Sequence, residues 1–145
     1  MEIDDEKYMR EALREAQTAF DKDEVPVGAV IVSGGRVIAL GHNMTEMLHD
    51  ATAHAEMIAT TAATEAMGGK YLSRCTIYVT VEPCPMCDAA LCLSQIGRIV
   101  YGAPDPKRGY QLYAPSLLHP KTEIRAGVLE DECSALVKAF FAAKR

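Results

Sequence analysis

The chain alternates between stretches with apolar residues every three to four positions and stretches that run apolar almost without interruption. Residues 4–22 follow the first pattern, with Tyr8, Met9, Ala12, Leu13, Ala16, Ala19 and Phe20 at helical spacing. VGAVIVS (27–33) and RVIALGH (36–42) follow the second, and Gly34-Gly35 between them supplies the positive φ of a tight hairpin turn. A second helix is predicted over 54–67, stopped by Gly68-Gly69. TIYVTV (76–81) reads as a β-branched strand, followed by a helix over about 84–95, a strand at RIVYGA (98–103) and a short one at TEIRAG (122–127). EDECSALVKAFFAAKR closes the chain as a helix. Residues 103–121, broken by prolines and without a clean period, predict a functional loop or one that hides a short helix. Helices alternating with strands after the hairpin predict an α/β fold, a sheet with helices on both faces.

Composition narrows the class. A chain of 145 residues predicts one domain over 1–145 with a real core. With 49% hydrophobic and 24% charged residues it is too polar for a membrane class. No run approaches the roughly 18 apolar residues of a membrane span, and the acidic start does not read as a signal peptide. The expectation is a cytoplasmic protein. Five cysteines in a reducing compartment argue against a disulfide framework, so a clustered pair points to metal or catalysis. The net charge of −5 argues against a nucleic-acid partner at first sight. Through Glu24, however, nine acids face four bases, so the remainder is balanced. Its bases bunch at Lys107–Arg108 and at Lys138, Lys144 and Arg145, which leaves room for a local basic surface.

The clustered pair lies in EPCPMC (82–87), where Cys84 and Cys87 fall three apart at the start of a helix that follows a strand. Positions i and i+3 share a helix face, and the helix N-terminus favours thiolates. Such a pair can hold a metal, cycle as a redox couple or simply pack; a structural zinc would recruit a fourth ligand such as His49 or Cys92. A metal needs a third ligand, and TAHAEM (52–57) offers His54 at the opening of another helix, with Glu56 two residues on. In a first turn both side chains can aim beyond the helix end. Together the two halves match His-x-Glu followed by Pro-Cys-x-x-Cys, the signature of zinc nucleobase deaminases. Zinc with three protein ligands leaves a position for water, which attacks the ring carbon bearing an exocyclic amine. Glu56, held off the metal, is then the proton carrier. Cys75, Cys92 and Cys133 read as packed small hydrophobes, and His42, His49 and His119 as loop or surface histidines.

At this point the chain resembles the bacterial tRNA-specific adenosine deaminases of the cytidine deaminase-like superfamily. The resemblance runs through EVPVGAV (24–30), the HN at 42–43, TAHAE (52–56), IYVT (77–80), EPCPMC, IGRIVYGAPDPK (96–107) and GVLEDECSALVKAFFAAKR (127–145). It implies a three-layer α/β/α fold around a mixed sheet of about five strands, and one Zn2+ per chain held by His54, Cys84 and Cys87 with Glu56 as proton shuttle. The implied reaction is hydrolytic deamination of the wobble adenosine of a tRNA anticodon to inosine. By the same resemblance Asn43, Val25, Pro26 and the backbone N–H of Ala55 would meet the flipped nucleotide. Asp105 and Lys107 would lie beside the anticodon loop, with Phe141, Lys144 and Arg145 extending the RNA face. A homodimer is implied, with the helix around Ala89–Leu93 as its seam. Two features depart from the family pattern: Asp88 beside two thiols, to be directed at solvent or a second chain, and the 110–124 stretch YQLYAPSLLHPKTEI. Two rivals carry the same metal residues: a deaminase of a free base or nucleotide (guanine, cytosine or deoxycytidylate), and a non-catalytic zinc-stabilised interaction module.

Overall fold

The computed structural model describes residues 4–144. The first helix, α1 (Asp5–Asp21), is capped by Asp4, whose side chain accepts from the Lys7 N–H at 3.0 Å. Its buried stripe is Met9, Ala12, Ala16 and Ala19, the spacing of one helix face. Strands β1 (Gly28–Ser33) and β2 (Arg36–His42) form the hairpin, and Gly34 and Gly35 turn it with φ of 58° and 76°. Helix α2 (Ala55–Met67) follows a loop, then β3 (Cys75–Val81), α3 (Pro85–Leu93) and β4 (Arg98–Ala103). A four-residue helix, α4 (Tyr110–Tyr113), is the short helix hidden in the proline-rich stretch. Strand β5 (Glu123–Ala126) and helix α5 (Glu130–Ala142) complete the chain. The third helix stops at Leu93, shorter than its apolar pattern, because Gln95 takes a left-handed φ of 54°.

The five strands form one sheet in the order β2-β1-β3-β4-β5. β1 is antiparallel to both β2 and β3, whereas β3–β4 and β4–β5 are parallel. A strand buried on both faces is apolar at most positions, and β3 is, apart from Thr76 and Thr80; the buried Thr80 Oγ1 accepts from the Gly28 N–H at 3.1 Å. Ile77 and Val79 point into a cluster with Ala55, Ala59, Ala63, Leu91 and Ile96, whereas Tyr78 points into a second cluster with Met9, Ala12, Val128 and Cys133. Helices α2 and α3 therefore cover one face, α1 and α5 the other. Each fully buried Ile or Leu in these layers contributes about 1.5–3 kcal/mol relative to exposure.

Two glycines set how closely helices approach the sheet. A Cβ on Gly41 would lie 2.4 Å from the Ala55 carbonyl oxygen, and one on Gly28 would lie 2.1 Å from that of Ala12. β2 thus presses directly on the first turn of α2, and β1 on the middle of α1.

Three buried carboxylates tie distant segments together. Asp5 accepts from Arg98 Nη1 and Nη2 (2.7 and 2.8 Å), from Arg125 Nη1 (2.6 Å) and from the Tyr78 hydroxyl (2.8 Å). It joins α1 to β3, β4 and β5. Glu24 accepts from the backbone N–H of Glu46 (3.0 Å) and Met47 (2.8 Å), fixing the loop between β2 and α2. Glu82 accepts from the N–H of Asp105 and of Gln111, both at 3.1 Å, fixing the loop after β4.

Candidate active site

The N-termini of α2 and α3 converge on the same face of the sheet. His54 is the residue that opens α2 and Cys84 the one that opens α3; both have extended backbone, so neither side chain lies along its helix surface. Pro85 at the first helical position of α3 needs no N–H partner and sets the turn that brings Cys87 back beside Cys84. His54 Nδ1 lies 3.6 Å from Cys84 Sγ and 3.6 Å from Cys87 Sγ. The three ligand atoms all fall within 4.8 Å of one another, a group able to hold a metal ion. Cys87 is fully buried and Cys84 partly so, which leaves an approach from one side.

The electrostatics belong to donors crowded together. The Cys84 thiol is pulled down to about 4, first by the hydrogen bond from Cys87 and then by His54. The Cys87 thiol moves up, through that same bond and through burial. The His54 imidazole moves up, chiefly through its contact with Cys84. Glu56, one residue inside α2 and 4% exposed, is raised to about 7 by burial first and by the negative charge on Cys84 after it.

Around this group the structure places the other expected residues at different ranges. Asn43 is buried beyond the end of β2; its N–H donates to the Val27 carbonyl at 3.1 Å, and its Oδ1 has no hydrogen-bond partner among the described residues. The next residue, Met44, donates to the Ala53 carbonyl at 2.9 Å, which brings this segment beside His54. Pro26 is buried and Val25 half-buried in the segment entering β1, and Ala55 is buried at the first turn of α2. Asp105 Oδ1 accepts from the N–H of Lys107 and of Arg108, both at 3.0 Å, in a turn that Glu82 anchors two residues before Cys84. Phe141 lies apart on α5, across the sheet, half-exposed with its ring 5.3 Å from that of the buried Phe140. Lys144 pairs with Asp23, and Arg145 lies outside the described residues.

Two expectations are corrected. Asp88 does not face solvent: it is completely buried, neither carboxylate oxygen has a hydrogen-bond partner among the described residues, and burial raises it to about 7. His42 is not a surface residue either. It ends β2 with its side chain 14% exposed and Nδ1 3.3 Å from Glu15 Oε1 on α1. The anchoring roles of Glu24 and Glu82 went unread because a carboxylate beside Val-Pro or Pro-Cys carries no mark of the distant N–H groups it will meet.

Comparison with known proteins finds deaminases. The profile of the MafB19-like deaminases matches residues 3–145. The tRNA-specific adenosine deaminase of Bacillus subtilis is 45% identical over 142 residues, covering 94% of this chain and 88% of that protein. That of Aquifex aeolicus is 44% identical over 140 residues, covering 94% and 93%. A solved structure from work on A-to-I editing by tRNA:A34 deaminases superposes with a TM-score of 0.84 at 41% identity, covering 90% of this chain and 98% of that one.

The chain belongs to this deaminase family. The deaminase shares the family's five-stranded mixed sheet with helices on both sides. Among its described residues no helix is long and apolar enough to cross a membrane.

Proposed function

We propose that this deaminase hydrolyses the adenosine at the wobble position of tRNA anticodons to inosine, releasing ammonia, with zinc at His54, Cys84 and Cys87. The observation that carries the chemistry is the convergence of one imidazole and two sulfurs at two helix starts, with the buried Glu56 beside them. Zinc bonds of about 2.3 Å to sulfur and about 2.0 Å to nitrogen, at the tetrahedral angle, separate the donors by about 3.5 Å. The distances of 3.6 Å from His54 Nδ1 to each sulfur fit that ion. When bound, zinc lowers the pKa of a coordinated water toward 7 and makes it nucleophilic.

The chain's own residues do the rest. Glu56 takes a proton from the attacking water and delivers it to N1 of the purine, then a second to the departing exocyclic nitrogen. Its burial suits it to both duties, since a carboxyl raised toward neutrality both accepts and returns protons near pH 7. Asn43, whose buried Oδ1 has no hydrogen-bond partner among the described residues, accepts from the flipped nucleotide, against Val25, Pro26 and the Ala55 backbone. Asp105 and Lys107, on the turn anchored by Glu82, flank the RNA, and Phe141 extends the surface from α5. The tRNA substrate is supported by relatives of that name at 45% and 44% identity over nearly the whole of both chains. A homodimer completes the reading, joined through the face where exposed Leu93 and Tyr71 line a shallow groove of about 430 Å3 with Ala90 and Thr64.

The test is incubation of the purified protein with anticodon stem-loops carrying A or C at the wobble position, beside guanine and cytosine. Inosine from the A stem-loop alone, with about one zinc per chain by metal analysis, is the expected result. Turnover of guanine with none on RNA refutes the substrate assignment and leaves the deaminase chemistry standing.

A further inference from the structure

The stretch that departs from the family pattern carries an arrangement of its own. Tyr113, the last residue of α4, is 64% exposed, yet its hydroxyl does not point to water: it donates to the Lys107 carbonyl at 2.9 Å. An exposed tyrosine usually keeps its polar tip in solvent. Here the tip is spent within the protein, so what the ring offers outward is its apolar carbon surface, with its orientation already fixed. The turn that holds it presents Lys107 and Arg108, both exposed, and among the described residues neither makes an ion pair. Leu112, beside Tyr113, is 60% exposed.

This surface is tied to the site. Glu82 holds Asp105 and Gln111, and the Tyr110 N–H donates to the Pro83 carbonyl at 2.9 Å, one residue before Cys84. Tyr113 follows Tyr110 by one helical turn, about 5 Å along the axis. A fixed aromatic surface beside unpaired cations is what an unpaired nucleobase and its phosphates require, whereas a free purine or pyrimidine base brings no phosphate for the cations to meet.

We infer that Tyr113 is a stacking platform for an unpaired loop base adjoining the reacting adenosine, with Lys107 and Arg108 on the phosphates of that base. The inference deepens the tRNA reading and rests on it. A ring pinned before RNA arrives loses little freedom on binding, so most of the stacking appears as affinity.

The test is steady-state deamination of the A stem-loop by wild type, Tyr113→Ala and Tyr113→Trp, with 2-aminopurine placed next to the wobble adenosine as a stacking probe. Tyr113→Ala is expected to raise KM about tenfold and leave kcat within about twofold, since losing one base stack weakens binding by about that factor or more. Tyr113→Trp, which keeps a stacking ring without the hydroxyl bond to the Lys107 carbonyl, recovers part of the lost KM, and the 2-aminopurine quenching seen with wild type disappears in Tyr113→Ala and returns in Tyr113→Trp. The salt dependence of KM stays as steep in Tyr113→Ala as in wild type, because no phosphate contact has been removed. An unchanged KM in Tyr113→Ala with wild type active overturns the platform alone. So does a raised KM accompanied by loss of self-association in sedimentation, which assigns the ring to a second copy of the chain. Absence of inosine with the wild type is a different failure, removing the tRNA reading and the platform with it.

Discussion

Among the described residues Asp5 ties three strands to α1 through one carboxylate, and its removal has a calculable effect. Its carboxylate, 2% exposed, receives two bonds from Arg98, one from Arg125 and one from Tyr78. In Asp5→Ala the Arg98 side chain, 16% exposed, keeps only the exposed Glu123 at 3.8 Å, and the buried Tyr78 hydroxyl loses its acceptor. Breaking a buried pair costs about 3–5 kcal/mol, whereas the Arg125 contact, with that side chain 57% exposed, adds less than about 1 kcal/mol. Partial exposure of Arg98 places the total near the lower end, about 3–4 kcal/mol out of a typical 5–15. The loss should appear as a fall of about 10 °C in Tm by circular dichroism and a matching shift in urea midpoint at pH 7. The acid limb supplies an independent check. Arg98 first, then Tyr78 and Arg125, hold Asp5 at about 2 against its ordinary 3.8, with burial opposing. A depressed carboxyl stabilises the fold above its unfolded value, and that stabilisation is lost as pH falls from about 4 to about 2. The amount is about 2.5 kcal/mol. Asp5→Ala should therefore lose the steepest part of the wild-type acid transition. A cost under about 1 kcal/mol at pH 7, or an acid limb identical to wild type, refutes the role of the hub.

Three further outcomes follow from named contacts. Glu56→Gln keeps its metal by elemental analysis and loses about 10²–10⁴ in kcat, whereas His54→Ala and Cys87→Ala lose metal and activity together. Asp88→Asn stabilises the protein at pH 8: between about pH 4 and 7 the buried carboxyl, raised to about 7, keeps a proton that the unfolded chain releases, so wild-type stability falls across that range and is lowest once the buried group ionises. Urea unfolding should show Asp88→Asn ahead by about 2–4 kcal/mol at pH 8, with the gap narrowing toward pH 5. Gly28→Ala places a methyl 2.1 Å from the Ala12 carbonyl and should cost about 3 kcal/mol or more, read as soluble yield and Tm; a near-wild-type melt contradicts the close approach of α1.

Local pattern made the elements legible, because period 3.6 and near-continuous apolar runs report burial on one or both sides. The metal-binding group was legible for a different reason: His54 and Glu56, and Cys84 and Cys87, each come from a short segment whose spacing is itself the geometry. What joined the segments was not. Arg98 and Arg125 stand 93 and 120 positions from the carboxylate they meet, and nothing near Asp5 announces them. His42 looked like a loop residue because its partner, Glu15, lies on another element 27 positions away. Asp88 looked like a surface acid because acids mostly are, and only the packing of α3 against the sheet puts it inside.

The strand β5 is four residues long, exposed throughout, and alternates Glu123 and Arg125 with small or apolar neighbours. Its free edge offers too short and too charged a ribbon for another backbone to extend, which blocks growth of the sheet on that side. A second copy that meets this edge therefore finds side chains to contact and no backbone ladder to extend, so an association there would answer to single charge changes at Glu123 or Arg125.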